Sequence, residues 1–156
     1  MAIDVSWDES HFDDMSWHDN HVHALAIRGG EHGSGELDLD LDYILEWLRP
    51  TESTFAFRLA PATLTFHGVY DLRIEIDYAA ASAGITPFSI DQIAREVAPV
   101  TGLVRWTVDL NWPTGAISFM AAGFRQVLRA APVVRPSQHL SDDERRSLAA
   151  SAERHG

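Results

Sequence analysis

Histidines and acids concentrate in the segment Trp17–His23, whose side chains are the best placed in the chain to do chemistry. His18, His21 and His23 would offer imidazole ligands to a divalent metal such as Zn, Ni or Fe. His18 beside Asp19 would instead suit a general base with its orienting carboxylate. The H-x-x-H-x-H spacing is not diagnostic of a metalloenzyme, and no serine lies in a G-x-S-x-G setting. The segment therefore predicts binding residues at Trp17, His18, Asp19, His21 and His23 and leaves the chemistry of the site open.

A second group of candidate residues lies on a predicted strand over residues 37–47, where acids alternate with leucines and aromatic residues. The alternation places Asp38, Asp40 and Asp42 on one face and the leucines on the other. A strand cannot wrap an ion as a calcium loop does, so calcium binding is not expected. The acidic row would instead form an exposed ridge, the kind of surface that an inhibitor of a basic nuclease presents.

Residues 21–28 also alternate, and we expect them to pair with the acidic strand across a glycine-rich turn. The register that keeps the acidic row exposed turns His21 and His23 inward, close to Tyr43. In a concave sheet these three side chains would line a pocket for a small molecule. Alternatively these three side chains are part of the core. Trp17 would also be a core residue if its ring packs inward.

Alternating runs recur along the chain and predict a mainly β fold, α+β at most. Six or seven strands joined mostly by turns favour an antiparallel meander that forms a half barrel or sandwich. Residues 89–98 and 121–131 fit either a strand or a short helix. Ser141 and Glu144 form a capping box, which predicts a short C-terminal helix with few apolar residues and a loose attachment.

The 156 residues suit one β-rich domain over residues 1–140, followed by a helical tail over residues 141–156. The chain has no cysteine, which excludes disulfides and thiolate zinc sites. No apolar run has the length of a membrane span, and the N-terminus lacks the basic and apolar regions of a signal peptide. A cytoplasmic protein is expected, while the oligomeric state stays open.

The net charge of -11 falls mainly in the first third of the chain. Residues 1–60 hold 13 acids against three arginines, whereas the acids and arginines of residues 61–156 nearly balance. Such a field repels phosphate groups, so nucleic acid and anionic membranes are not expected partners. A basic protein partner or a cation is favoured instead.

Four short segments together resemble a known group of proteins. They are W-H-D-N-H-V-H at Trp17–His23, L-D-Y-I-L-E-W at Leu41–Trp47, A-P-A-T-L-T-F at Ala60–Phe66 and G-x-I-S-F at Gly115–Phe119. The chain is similar in these segments to small uncharacterised bacterial proteins, some of them grouped with the immunity proteins of toxin systems. The resemblance implies a β-rich domain that binds and blocks another protein, and it carries over no catalytic residue.

These observations favour a non-enzymatic binding protein whose first third presents acidic and aromatic residues to a macromolecular partner. Two alternatives remain open. One is a half barrel that binds a small molecule between its histidines and Tyr43, and the other is a metal-dependent enzyme that uses the histidine cluster.

Overall fold

The structure is a computed structural model that describes residues 5–79 and 84–155. Its strands form one antiparallel sheet, and a C-terminal helix packs on that sheet. The strands are β1 (Ser6–Asp8), β2 (His21–Gly29), β3 (Gly35–Thr51), β4 (Thr54–Ile76), β5 (Phe88–Val97), β6 (Val104–Trp112), β7 (Gly115–Met120), β8 (Gly123–Leu128) and β9 (Val133–Arg135). A 3-10 helix at Glu9–Asp14 follows β1, and helix α1 spans Asp142–His155.

The mainly β antiparallel fold with one short C-terminal helix is thus confirmed. The sheet has nine strands where six or seven were predicted. The two additional strands, β1 and β9, have three residues each, which is too short for an alternating pattern to be recognised. Both segments that fitted a strand or a helix are strands, β5 and β8. In the two described ranges no helix is long and apolar enough to cross a membrane.

Strand β4 determines the curvature of the sheet because its 23 residues pair with four other strands. One edge pairs with β3, the other edge pairs with β9 and β8, and the C-terminal part pairs with β7. Gly68 and Asp71 have positive φ angles at the point where β4 passes from β8 to β7. The sheet curls without forming a closed barrel. Its weakest junction is between β2 and β5, which in the described strands share only two residue pairs, His21 with Ser89 and Val22 with Phe88.

The concave face of the sheet holds the main core. The leucines of β3 lie on this face as the alternation predicts, opposite the apolar residues of β4. Aromatic rings fill the remaining space, with Phe66 against Phe119 at 4.6 Å and against Trp106 at 5.3 Å between ring centroids. Burial of each of these large side chains stabilises the fold by roughly 1.5–3 kcal/mol.

A second, smaller core, which we call the outer core, lies on the opposite, convex face under α1. Its buried members are Ile44, Phe57, Leu59 and Leu140, and Leu148 of the helix packs against them. Leu59 belongs to this core while its neighbour Ala60 belongs to the main core, and consecutive strand residues point to opposite faces. The helix is thus attached through few residues: none of the side chains described for α1 is fully buried, Leu148 packs against this core, and the buried Leu140 belongs to the segment before the helix.

Leu140→Ala tests whether this outer core contributes to the stability of the domain. Leu140 is completely buried, so we expect the free energy of unfolding to fall by about 2–5 kcal/mol. Urea unfolding monitored by tryptophan fluorescence provides the measurement. Val134→Ala is the control, since this half-exposed residue of β9 should change stability little. Equal effects of the two substitutions would contradict the assignment of an outer core.

Candidate functional site

A register shift in β2 reverses the predicted orientation of its first histidines. Leu25 pairs with Leu39 as predicted, but the pairing slips by one residue between Val22 and Ala24. Val22 is buried in the main core, and His23 turns to the convex face instead. A β-bulge redirects side chains in this way. The prediction that His21 and His23 point inward beside Tyr43 is therefore wrong.

On the convex face His23 meets the carboxylate of Asp42, which is 0% exposed. The distance between His23 Nε2 and Asp42 Oδ2 is 2.8 Å, and the backbone N–H of Leu140 donates to the same oxygen at 2.8 Å. The guanidinium of Arg145 in α1 donates to the other oxygen. Asp42 thus joins β2, β3, the segment before α1 and α1 itself.

The pKa of Asp42 reflects two opposing effects. Burial raises it, but the hydrogen bonds from His23 and Leu140 and the charge of Arg145 outweigh burial, so the pKa lies below its usual value of 3.8. The carboxylate is therefore ionised at neutral pH and can only accept hydrogen bonds. His23 must therefore donate its Nε2–H to this carboxylate.

The other members of the acidic row are also paired with arginines of the same chain. Arg28 donates to Asp38 through Nε at 2.7 Å, and Thr65 donates to Asp38 at 2.7 Å. Arg145 donates to Asp40 as well as to Asp42. The expectation of a free acidic ridge on β3 is wrong, because two arginines neutralise it and α1 covers part of it.

The three histidines proposed as metal ligands have separate partners. His21 lies against His139, with 4.5 Å between ring centroids, while His23 bonds Asp42. His18 Nδ1 is 3.0 Å from the backbone oxygen of Asp91. Among residues 5–79 and 84–155 no group of three or more His, Asp or Glu side chains is placed to hold a metal ion. The structure does not form the predicted metal site.

Asp19 is held by long-range contacts as well as by its neighbour His18. The distance between His18 Nε2 and Asp19 Oδ2 is 3.5 Å, which is longer than the hydrogen bond of a base to its orienting carboxylate. Asp19, however, also accepts hydrogen bonds from Asn111 and from Gln138 at 3.0 Å. These bonds fix the turn before β2 to β6 and to the segment before α1. Asp19 therefore has a structural role that is sufficient to explain its position.

Trp17 and Tyr43 belong to the core and not to a binding surface. Both are buried, and Trp17 Nε1–H donates to Gln126 Oε1 at 2.8 Å. The ring of Tyr43 lies 5.2 Å from that of Trp7, and burial raises the pKa of the Tyr43 phenol. Both side chains therefore lie in the core, away from the surface on which a partner would bind.

An aromatic surface that the sequence pattern does not predict lies at the end of the β3–β4 hairpin. Pairing of β3 with β4 shifts between Ile44 and Glu46, and Trp47, predicted to face inward, is 48% exposed. Phe55 is 53% exposed nearby. His18, Trp47, Arg49 and Phe55 together form a surface that we call the hairpin patch. The strand alternation gave no indication of it, because the register shift changes the face on which Trp47 lies.

The fold and the site define a β half barrel whose convex face is attached to a C-terminal helix through a buried carboxylate. Comparison of the chain with protein-family models, with curated proteins and with solved structures gave no match. Its function is therefore inferred from the surfaces and pockets of the molecule.

Arg145→Ala tests the importance of the Asp42 interaction. The substitution leaves a buried carboxylate without its guanidinium partner, so the free energy of unfolding should fall by about 3–5 kcal/mol. Urea unfolding measures this change. The neighbouring Arg146→Ala is a matched control, because Arg146 pairs with Asp143 in an exposed position and should contribute little. A small effect at Arg145, similar to that at Arg146, would contradict the central role of Asp42.

A pH series of unfolding experiments tests the histidine pair. Burial and the neighbouring His139 lower the pKa of His21 below 6.5, so the unfolded chain binds this proton more readily than the folded protein. The free energy of unfolding should therefore decrease as the pH falls below 6.5. A second decrease is expected below pH 3.8, where the unfolded chain protonates Asp42 first.

His139→Gln should reduce the first decrease, since it removes one of the causes of the lowered His21 pKa, and should leave the second decrease unchanged. A first decrease of the same size in this variant, or a rise in stability below pH 6.5, would contradict the assignment.

Proposed function

We propose that the protein is a non-enzymatic binding domain that docks a basic protein partner through the hairpin patch. The observation that carries the proposal is the exposure of two aromatic residues, Trp47 and Phe55, on the same long hairpin. Trp, Tyr and Arg are enriched among the hot spots of protein interfaces, and an aromatic ring buries a large area with few rotatable bonds.

The hairpin patch is held in place by its own contacts. The ring of Trp47 packs edge-on against the buried Phe57 at 5.0 Å and stacks with His18 at 6.3 Å between centroids. Arg49 lies over the ring of Phe55 at 5.3 Å and donates to the backbone oxygen of Glu52 at 2.6 Å. A surface that is already ordered loses less conformational entropy when a partner binds.

Acidic residues near the hairpin patch favour a basic partner. Glu46 and Glu52 are exposed on the same hairpin, and the Asp91 carboxylate lies 3.5 Å from His18. The acids of the first third that are not neutralised by arginines contribute to the same negative field. Such a field accelerates association with a basic protein and selects against acidic ones. An immunity-like role, in which this surface blocks a basic toxin, is the form of the function that the resemblance supports.

The surroundings of the His23–Asp42 pair support a function other than catalysis. Asp42 orients His23, as a catalytic dyad requires, but in the described part of the chain no Ser, Thr or Tyr hydroxyl hydrogen-bonds to His23. The carboxylate also binds Leu140 and Arg145, so it connects structural elements. We therefore assign this pair to the framework and the hairpin patch to the partner.

Selection of peptides from a random displayed library against the immobilised protein tests the proposal. Selected peptides should be rich in Arg and Lys, and their affinity should fall at least about tenfold in Trp47→Ala and in Phe55→Ala. Titration calorimetry of synthetic copies of the selected peptides provides the affinities. Trp112→Ala is the matched control, because Trp112 is 44% exposed and lies outside the patch.

Peptides without excess positive charge, or peptides whose affinity survives Trp47→Ala and is lost in Trp112→Ala, would overturn the proposal. Affinity for the selected peptides should also weaken with salt, as expected for charged contacts at the rim.

A further inference from the structure

One side of β2 is a free edge of the sheet. Beyond the two residue pairs with β5, no strand of residues 5–79 and 84–155 pairs with this side of β2. We call Ala24–Gly29 the β2 edge, on which Ala24, Ala26 and Ile27 are exposed. A cavity of about 450 Å³ lies between the start of this edge and residues 85–88. The β2 edge shares no residue with the hairpin patch and is independent of the function proposed above.

The backbone groups that the β2 edge offers follow from the hydrogen bonds on the other side of the strand. The backbone N–H of Gly30 donates to the oxygen of Ser34 at 2.9 Å, across the turn that joins β2 to β3. The register with β3 is continuous along the whole β2 edge. The N–H and C=O groups of successive residues alternate between the two neighbours of an antiparallel strand. Counted back from Gly30, those of Leu25 and Ile27 therefore point away from β3 and are the donors and acceptors of the free edge.

The β2 edge lacks the features that usually protect the edge of a sheet from another chain, which are charge, proline, bulges and short length. Strands β1 and β9 have three residues each, and β5 carries the charged Asp91, Arg95 and Glu96. The first four residues of the β2 edge are Ala-Leu-Ala-Ile, and the bulge of β2 precedes them at His23. An uncharged, exposed edge of this kind is suited to pair with a further strand.

We propose that two copies of the protein pair through their β2 edges and form an antiparallel dimer with a continuous sheet. A two-fold axis at Ala26 places Leu25 of each copy opposite Ile27 of the other. All four of these residues direct backbone groups across the junction, so two closely spaced pairs of hydrogen bonds form. The side chain of Ile27, which is 64% exposed in the single chain, then contacts Leu25 of the second copy.

The charges on and beside the β2 edge are compatible with this register. Arg28 of one copy lies opposite Ala24 of the other, whose neighbour on β3 is Asp40. The Asp40 side chain is 44% exposed, so the guanidinium of one copy lies within reach of a carboxylate of the other. The net charge of -11 on each copy opposes association at low ionic strength. Salt at about 0.15 M screens this repulsion beyond about 8 Å, so the dimer is expected at physiological salt.

Sedimentation equilibrium at physiological salt over a series of protein concentrations tests the dimer. The average mass should rise from one chain toward two and not beyond, because the two-fold contact occupies both β2 edges. Trp47→Ala should dimerise like the wild type, since the hairpin patch takes no part in the contact. A single-chain mass at all concentrations, growth beyond two chains, or loss of the dimer in Trp47→Ala would overturn the proposal.

Two variants with the same change of charge test the register. Ala26→Glu places two like charges opposite each other at the axis, so the dissociation constant of the dimer should rise at least about tenfold. Ala24→Glu is the matched control, because it adds the same charge to the same exposed face of β2 but places it opposite Arg28 of the second copy. The dimer should be retained in this variant. Equal losses in the two variants would show general repulsion and overturn the proposal.

Hydrogen exchange of the backbone amides locates the contact. The amides of Leu25 and Ile27 should become protected as the protein concentration rises, whereas that of Ala26 already bonds to β3 and serves as the internal reference. Ile27→Pro removes a donor of the free edge without removing a bond to β3, so it should prevent dimerisation with the fold retained. Exchange at Leu25 and Ile27 that does not depend on concentration, or a folded Ile27→Pro variant that still dimerises, would overturn the proposal. If Ile27→Pro does not fold, Ala26→Glu remains the decisive variant.

Discussion

The carboxylate of Asp42 has no contact with solvent and receives hydrogen bonds from three different parts of the chain. An isolated charge in such a position would cost several kcal/mol, so the surrounding donors have to be in place for the domain to be stable. They come from the start of β2, from Leu140 and from α1. The same contacts determine which face of the sheet α1 covers. The outer core therefore depends on this single ionised group.

The ion pairs of the β3 acids also change how the net charge of the protein is interpreted. The acids on β3 suggest a binding surface when the sequence is considered alone, but Arg28 and Arg145 neutralise them within the fold. Exposed acids remain at Glu46 and Glu52 of the β3–β4 hairpin. Others lie on the 3-10 helix after β1, for example Asp13, which is largely exposed. The charge pattern thus predicts which third of the chain is acidic, but not that the acids of β3 are paired with arginines.

The predictable parts of the structure were those that depend on local pattern. The leucines of β3 face the core because alternation determines the face of a strand, and the capping box of Ser141 and Glu144 forms with both hydrogen bonds at 3.2 Å. The site was less predictable because it depends on two single-residue shifts, at His23 and near Leu45. One inserted residue reverses the face of every later residue in the strand without disturbing the average periodicity.

The separation along the chain between Asp42 and Arg145 is 103 residues, and β4 likewise pairs with β7, β8 and β9, which are all later in the sequence. During synthesis on the ribosome the first hairpin therefore emerges with an uncompensated acid on one face and an uncovered apolar surface on both. Contacts of such long range form slowly and only after their partners exist. Burial of the apolar faces of β3 and β4 is accordingly coupled to the formation of β7, β8, β9 and α1.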